Sequence, residues 1–170
     1  MGSLHLDAPQ DGSGADVVRY ARPVMRPVWL LALLVACRGQ PTAPGNGACA
    51  IVAKLTEHAE GAALLERAPA HRVVFAPEAG LTPTGTVRLV ADEPVASSAA
   101  RYGHLLHHLV HGRPFDDAAD GDCAKRLERA RRREKSALAL ENRLRASFGV
   151  APLPDTALEA RVNAYRNRCR

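Results

Sequence analysis

The sequence predicts an α+β fold in which a small β-sheet packs with helices. Two observations lead there. Two short β-branched runs, HRVVFAP (71–77) and GTVRLVADE (85–93), lie between segments of helical periodicity. Aromatic residues make up only 4% of the chain, so the core must be built from Ala, Leu and Val, and helices of Ala and Leu do that best. A chain of 170 residues has room for one domain with a real core.

Taken in order, ACAIVAKLTEHAEGAALLERA (48–68) has helical spacing, weakened by Gly61. The run 71–77 is a strand bounded by Pro77, and 85–93 alternates as a second strand. Between them EAGLTPTG (78–85) is turn material, consistent with a hairpin or short connection. PVASSAARYGHLLHHLVHG (94–112) is a helix closed by Gly112, and RPFDDAADGD (113–122) is a loop. CAKRLERARRREKSALALENRLRASFG (123–149) is a long helix ending at Gly149. The last segment, APLPDTALEARVNAYRNRCR (151–170), adds a helix with Asp155 as its cap. The expected order is α-β-β-α-α-α, with no internal repeat.

Net charge is +5 and the pI is near 9.4, much of it from KRLERARRREK (125–135). Such a run is the solvated face of a helix. Nucleic-acid binding wants basic residues interleaved with aromatics, and these are almost absent, so no nucleic-acid partner is expected.

The N-terminal region is organised differently. MRPVWLLALLVAC starts at Met25, carries Arg26, and runs uncharged from Val28 to Ala36. That run is too short to span a bilayer as a helix but has the length of a secretory signal core after a basic start. LVAC (34–37) resembles the bacterial lipobox, which implies that Cys37 is diacylated. The Gly/Pro-rich RGQPTAPGNG (38–47) then suits a flexible tether. Residues 1–24 read as a misassigned start or a disordered extension, 25–36 as a lipoprotein signal peptide, 37–47 as anchor and tether, and 48–170 as the domain. The implied location is the cell envelope, as an outer-membrane lipoprotein facing the periplasm or the exterior. Its expected partners are the membrane, through the lipid, and a protein or peptide.

With Cys37 lipidated, Cys49, Cys123 and Cys169 remain. In an oxidising compartment one disulfide and one free thiol is the simplest outcome. A Cys123–Cys169 bond would tie the C-terminus to the start of the long helix.

The stretch HLLHHLVHG (104–112) holds four of the seven histidines. On a helix, His104, His107, His108 and His111 share a stripe roughly 100° wide. Tyr102, Leu105, Leu106 and Leu109 fall on the other side. Neutral imidazole is a good ligand for zinc and copper, and the pairs His104/His108 and His107/His111 have the i, i+4 spacing that grips one ion. A metal-free histidine face lining a cleft is the competing reading.

HHLVH (107–111) resembles the HExxH motif of zincin metallopeptidases, with His108 in the glutamate's place. A strand, TVRLVADE, precedes it, as in the minimal zincin fold. The likeness covers about 85–145. It implies zinc held by His107 and His111. In the gluzincin branch a glutamate from a following helix is the third ligand. The inward stripe of the long helix runs Leu127, Ala130, Glu134, Ala137, Glu141, Leu144, Phe148. Carboxylates facing a core are costly unless they meet a metal or a cation. Glu134 opens EKSA, similar to the E-x-x-A around the gluzincin ligand, and is the implied third ligand. His104 and Glu141 are the alternatives, and pairing of both glutamates with Arg101 or Arg145 is the metal-free reading. The catalytic glutamate is missing in either register: HHLVH has His108 there and HLLHH (104–108) has Leu105. The expectation is a zincin-like domain that binds zinc but has lost peptidase activity. The alternatives are a peptidase using His108 as its base, and a structural envelope lipoprotein with no site.

Overall fold

A computed structural model of the chain describes residues 46–114 and 122–169. The leading segment 1–24, the signal 25–36, Cys37 and most of the tether lie outside the described residues, as does 115–121 of the long loop. Among the described residues the fold is α+β, as expected. The elements are α1 (Asn46–Thr56), α2 (Ala59–Arg67), β1 (Val73–Phe75), β2 (Gly80–Leu81), β3 (Val87–Leu89), α3 (Val95–His111), α4 (Cys123–Ser147) and α5 (Thr156–Arg166), then a short 3-10 turn, Asn167–Cys169.

The first helical segment departs from the expectation in two ways. It starts at Asn46, inside the expected tether, and it is two helices broken around Glu57 and His58. The reason is Gly61, which is buried where α2 crosses α1. A Cβ there would run into the Leu55 carbonyl and side chain, so glycine lets the two helices cross closely.

The sheet is mixed, in the order β1-β3-β2. β1 runs parallel to β3, with Val74 opposite Arg88. β2 runs antiparallel to β3, with Leu81 opposite Val87. The hairpin expected between 71–77 and 85–93 is therefore not formed: those strands run parallel, and β3 pairs antiparallel instead with β2, which forms from what reads as turn material. Short edge strands leave little unpaired backbone.

The core surrounds α3, which packs against α1, α2 and α4 and against β3 of the sheet. Leu55, Val87, Leu89, Ala99, Leu106 and Leu144 are fully buried, and Tyr102 is the one aromatic in the cluster. Small residues let the helices approach. At Gly103, on α3, an added Cβ would collide with Leu144 of α4. Asp122 caps α4 by accepting a hydrogen bond from the Lys125 backbone N–H at 2.8 Å. The expected cap of the last helix is different: Asp155 precedes α5 but makes no side-chain cap bond.

Cys123 and Cys169 are disulfide-bonded, with Cα atoms 5.7 Å apart and 46 residues apart in sequence. The bond clamps the end of the chain to the start of α4. Cys49 is disulfide-bonded too, so the free thiol expected from the cysteine count is not found among the described residues. A loop of that length implies about 4 kcal/mol of chain-entropy stabilisation. Reduction is thus expected to lower the denaturant midpoint sharply, and a Cys123→Ala, Cys169→Ala variant is expected to be destabilised by about the same amount and to respond to reductant only through the disulfide of Cys49.

Candidate metal centre

The histidine stripe splits when α3 packs. His104 and His108 turn inward and are 1% and 2% exposed, whereas His107 is half-buried and His111 exposed. The stripe is wide enough for both pairs, but the glutamates of α4 and the residues of α5 meet His104 and His108, while His107 meets α4 at Ser136. The Nε2 atoms of these two rings are 3.0 Å apart. Glu134, one turn-set along α4, points between them. Its Oε2 is 3.3 Å from His104 Nε2 and its Oε1 is 3.4 Å from His108 Nε2.

Two nitrogens and a carboxylate thus converge in a buried group that could hold a metal ion. The expected set was His107, His111 and Glu134. Glu134 is in place, but the fold supplies the alternative His104 together with His108. His107 Nε2 instead meets Ser136 Oγ at 3.1 Å, and its ring lies 4.5 Å from that of His111 at the surface. His108 therefore stands among the donors rather than in the place of a base. The register that converges is HLLHH, and Leu105 follows the first histidine of the set.

Glu141, the other core-facing glutamate, lies one further double turn along α4 and is fully buried. Its Oε2 is 3.1 Å from His104 Nδ1. A carboxylate there orients the ring through Nδ1 and directs Nε2 at Glu134 and His108, as a carboxylate behind a metal-binding histidine does.

Two residues of the site come from α5. Arg161 Nη2 donates to Glu141 Oε2 at 3.0 Å, while Nη1 lies 3.5 Å from Glu134 Oε2 and touches His104 Nε2. Tyr165 Oη donates to Glu134 Oε1 at 2.7 Å. Neither expected arginine plays this part. Arg101 makes a two-pronged pair with Glu93 at 3.1 and 2.8 Å, and Arg145 donates to the Ala151 carbonyl at 2.6 Å.

The electrostatics follow from burial. Burial pushes the Glu134 carboxyl up, but hydrogen bonds from His104 and His108 outweigh it and hold it well below the ordinary range. Burial likewise raises Glu141, and its His104 bond together with the charges of His104 and Arg161 bring it below the ordinary value. Burial, then Glu134, pushes the Tyr165 hydroxyl up, so it remains a neutral donor. Two buried carboxylates face one guanidinium, so the charge of the cluster is balanced only with a proton on the imidazoles or with a bound cation, and an unbalanced charge is costly in a buried site.

The histidines predict a pH dependence. Burial lowers His71 and His108, and burial with the neighbouring imidazoles lowers His107 to about 4. An unfolded histidine titrates near 6.5, so between about 6.5 and 4 the unfolded chain binds more protons and stability rises with pH. Glu134 and Glu141 extend the trend below about 4.3, where the unfolded carboxylates protonate first. Denaturant midpoints of the metal-free chain are expected to fall steadily from neutral pH to about 4. A flat profile would show that these imidazoles are not held neutral.

The cluster opens into a cleft of about 360 Å³. Its walls include β2 residues Gly80 and Leu81, Leu105, Arg161 and Tyr165. The chain matches no family model, no curated protein and no solved structure. Arg161 and Tyr165 escaped the sequence reading. Their one signal is that Arg161, Tyr165 and Cys169 follow at i, i+4 and i+8, so a Cys123–Cys169 bond lays that face along α4.

Proposed function

We propose that this domain is a zinc-binding, zincin-like module of the cell envelope that does not hydrolyse peptides. The observation that carries the reading is the spacing of the three donors. Tetrahedral zinc with bonds of about 2.0–2.1 Å needs ligand atoms about 3.3–3.4 Å apart. Here the two nitrogens are 3.0 Å apart, Glu134 Oε2 is 3.3 Å from His104 and its Oε1 3.4 Å from His108, with one donor atom of each residue within 4.8 Å of the others, and two histidines with one glutamate are a zinc donor set. Zinc at this point would lend Lewis acidity to an oxygen in the cleft. Glu141 would hold the His104 tautomer, and Tyr165 would hold Glu134.

The absence of peptidase activity rests on Leu105. In the likeness to HExxH, the residue after the first histidine is the general base, and here that residue is apolar and takes no proton. Among the described residues lining the cleft, Glu134 is the only carboxylate, and it is committed to the donor set.

A second reading keeps the same residues without a metal. Arg161 already touches His104 and reaches both glutamates, so the cluster can be read as an ionic network that fixes α5 to α3 and α4. One experiment separates the readings. The chain is saturated with zinc, dialysed, and assayed for bound zinc and for casein cleavage. The expected result is about one zinc per chain and no cleavage above that of a His104→Ala, His108→Ala variant. Bound zinc with cleavage that this variant loses would restore the peptidase. No bound zinc would leave the Arg161 network.

The envelope location rests on LVAC alone. A lipidated Cys37 carries a diacylglyceryl group on its sulfur, so it cannot also pair with Cys49, whose disulfide competes with the anchor for the one cysteine that Cys123–Cys169 leaves. The intact mass of detergent-extracted chain is expected to show the lipid on Cys37. A Cys37–Cys49 disulfide would remove the anchor.

A further inference from the structure

The cleft is lined by arginines out of proportion to its acids. Arg101, Arg113, Arg161 and Arg168 face it, against the single described carboxylate Glu134. Arg101 is balanced by Glu93 outside the lining, and a cleft in which cations outnumber carboxylates concentrates anionic ligands. Arg161 is the arginine nearest the donors and is partly open to the cleft, with a side chain 27% exposed.

Arg161 is also where metal and protein compete. Its Nη1 touches His104 Nε2 and lies 3.5 Å from Glu134 Oε2, so it occupies the lone pairs that a metal ion would take. Its other nitrogen is anchored independently, on Glu141 at 3.0 Å. A cation entering among the donors would repel Nη1 while Nη2 kept its anchor. The guanidinium would then present Nη1 to the cleft without its previous acceptors. A planar guanidinium with a free edge is matched by a carboxylate.

We propose that the cleft takes a ligand bearing a carboxylate, which binds Arg161 beside the metal donors and is bound in concert with the metal. This rests on the zinc reading above. The two cations would repel each other less with an anion between them, so each ligand should tighten the other.

The test is calorimetric titration of zinc into the metal-free full chain in a non-coordinating buffer. It is run alone, with acetate, with acetyl-dialanine, and with the same peptide as its C-terminal amide. Acetate and the free-acid peptide are expected to tighten zinc binding about tenfold, the factor one charge-assisted hydrogen bond supplies. The amide is expected to do nothing. Acetate's own weak hold on zinc in solution acts in the opposite direction, so it cannot mimic this result. A larger effect from the peptide acid than from acetate would assign the carboxylate to a peptide C-terminus, and equal effects to a small free acid. The tightening is expected to vanish in Arg161→Gln and to shrink in Arg161→Lys, which keeps the charge the buried glutamates need. Equal zinc affinity in all four titrations, or tightening that survives in both variants, would overturn the carboxylate site while leaving the zinc site standing. No zinc binding at all would overturn both.

Discussion

Replacing Arg161 with methionine is expected to destabilise the metal-free protein by about 3–5 kcal/mol, the cost of stranding a buried charge by removing its partner. Arg161 is the only cation within salt-bridge reach of Glu141 and of Glu134 among the described residues, apart from the histidines. Glu134 and Glu141 are 1% and 0% exposed, so water cannot take over. Methionine keeps much of the side-chain volume, and the loss therefore reports charge rather than packing. A companion variant isolates the mechanism. Adding Glu141→Gln to Arg161→Met removes the stranded charge and is expected to recover part of the stability. Denaturant unfolding measures both. A loss below about 1 kcal/mol for Arg161→Met would mean that the glutamates are already neutralised by protons.

The second large effect is metal-linked. A ligand that binds only the folded state stabilises it by about 4.1 kcal/mol at a thousandfold excess over its Kd. Zinc at that excess is expected to raise the unfolding midpoint of the wild-type chain accordingly, most of all at neutral pH. The gain should fade toward about pH 5, because protons and metal compete for the same imidazoles. In Glu134→Ala the gain is expected to disappear. The same substitution lifts one of the two carboxylates from Arg161, so the metal-free variant should not be destabilised in proportion. A zinc-dependent shift of equal size in Glu134→Ala would place the ion elsewhere.

Much of this fold is legible because its signals are local. The strand runs around Val73 and Val87 are short, β-branched and bounded by Pro or Gly. Gly112 and Gly149 close α3 and α4 within two residues of the expected ends. The two glutamates among the apolar residues of α4 mark a buried polar site, because a carboxylate at such a position must find a partner. Cys123 and Cys169 pair as their positions suggest.

What the sequence does not carry is the choice among equivalent local patterns. His104/His108 and His107/His111 have identical spacing, and only the direction from which α4 and α5 approach α3 decides which pair is inside. The likeness to HExxH rests on HHLVH (107–111), with His108 in the glutamate's place. The packing favours 104–108 because those rings sit deeper along the contact with α4. β2 forms from turn residues because β3 offers it an edge, and the split at Glu57 follows from a crossing that Gly61 permits. Arg161 and Tyr165 belong to no motif. They join the site only because α5 folds back along α4, with the disulfide fixing its end.

The most direct test of the central claim uses cobalt(II) as a spectroscopic stand-in for zinc. Visible absorption of the cobalt-loaded chain reports nitrogen and oxygen donors around a low-coordinate ion. Intense bands are expected at about one equivalent in the wild type and in His107→Ala, and their loss in His104→Ala, His108→Ala and Glu134→Ala. Bands that vanish in His107→Ala but persist in His104→Ala would contradict this, and would move the site to the exposed pair.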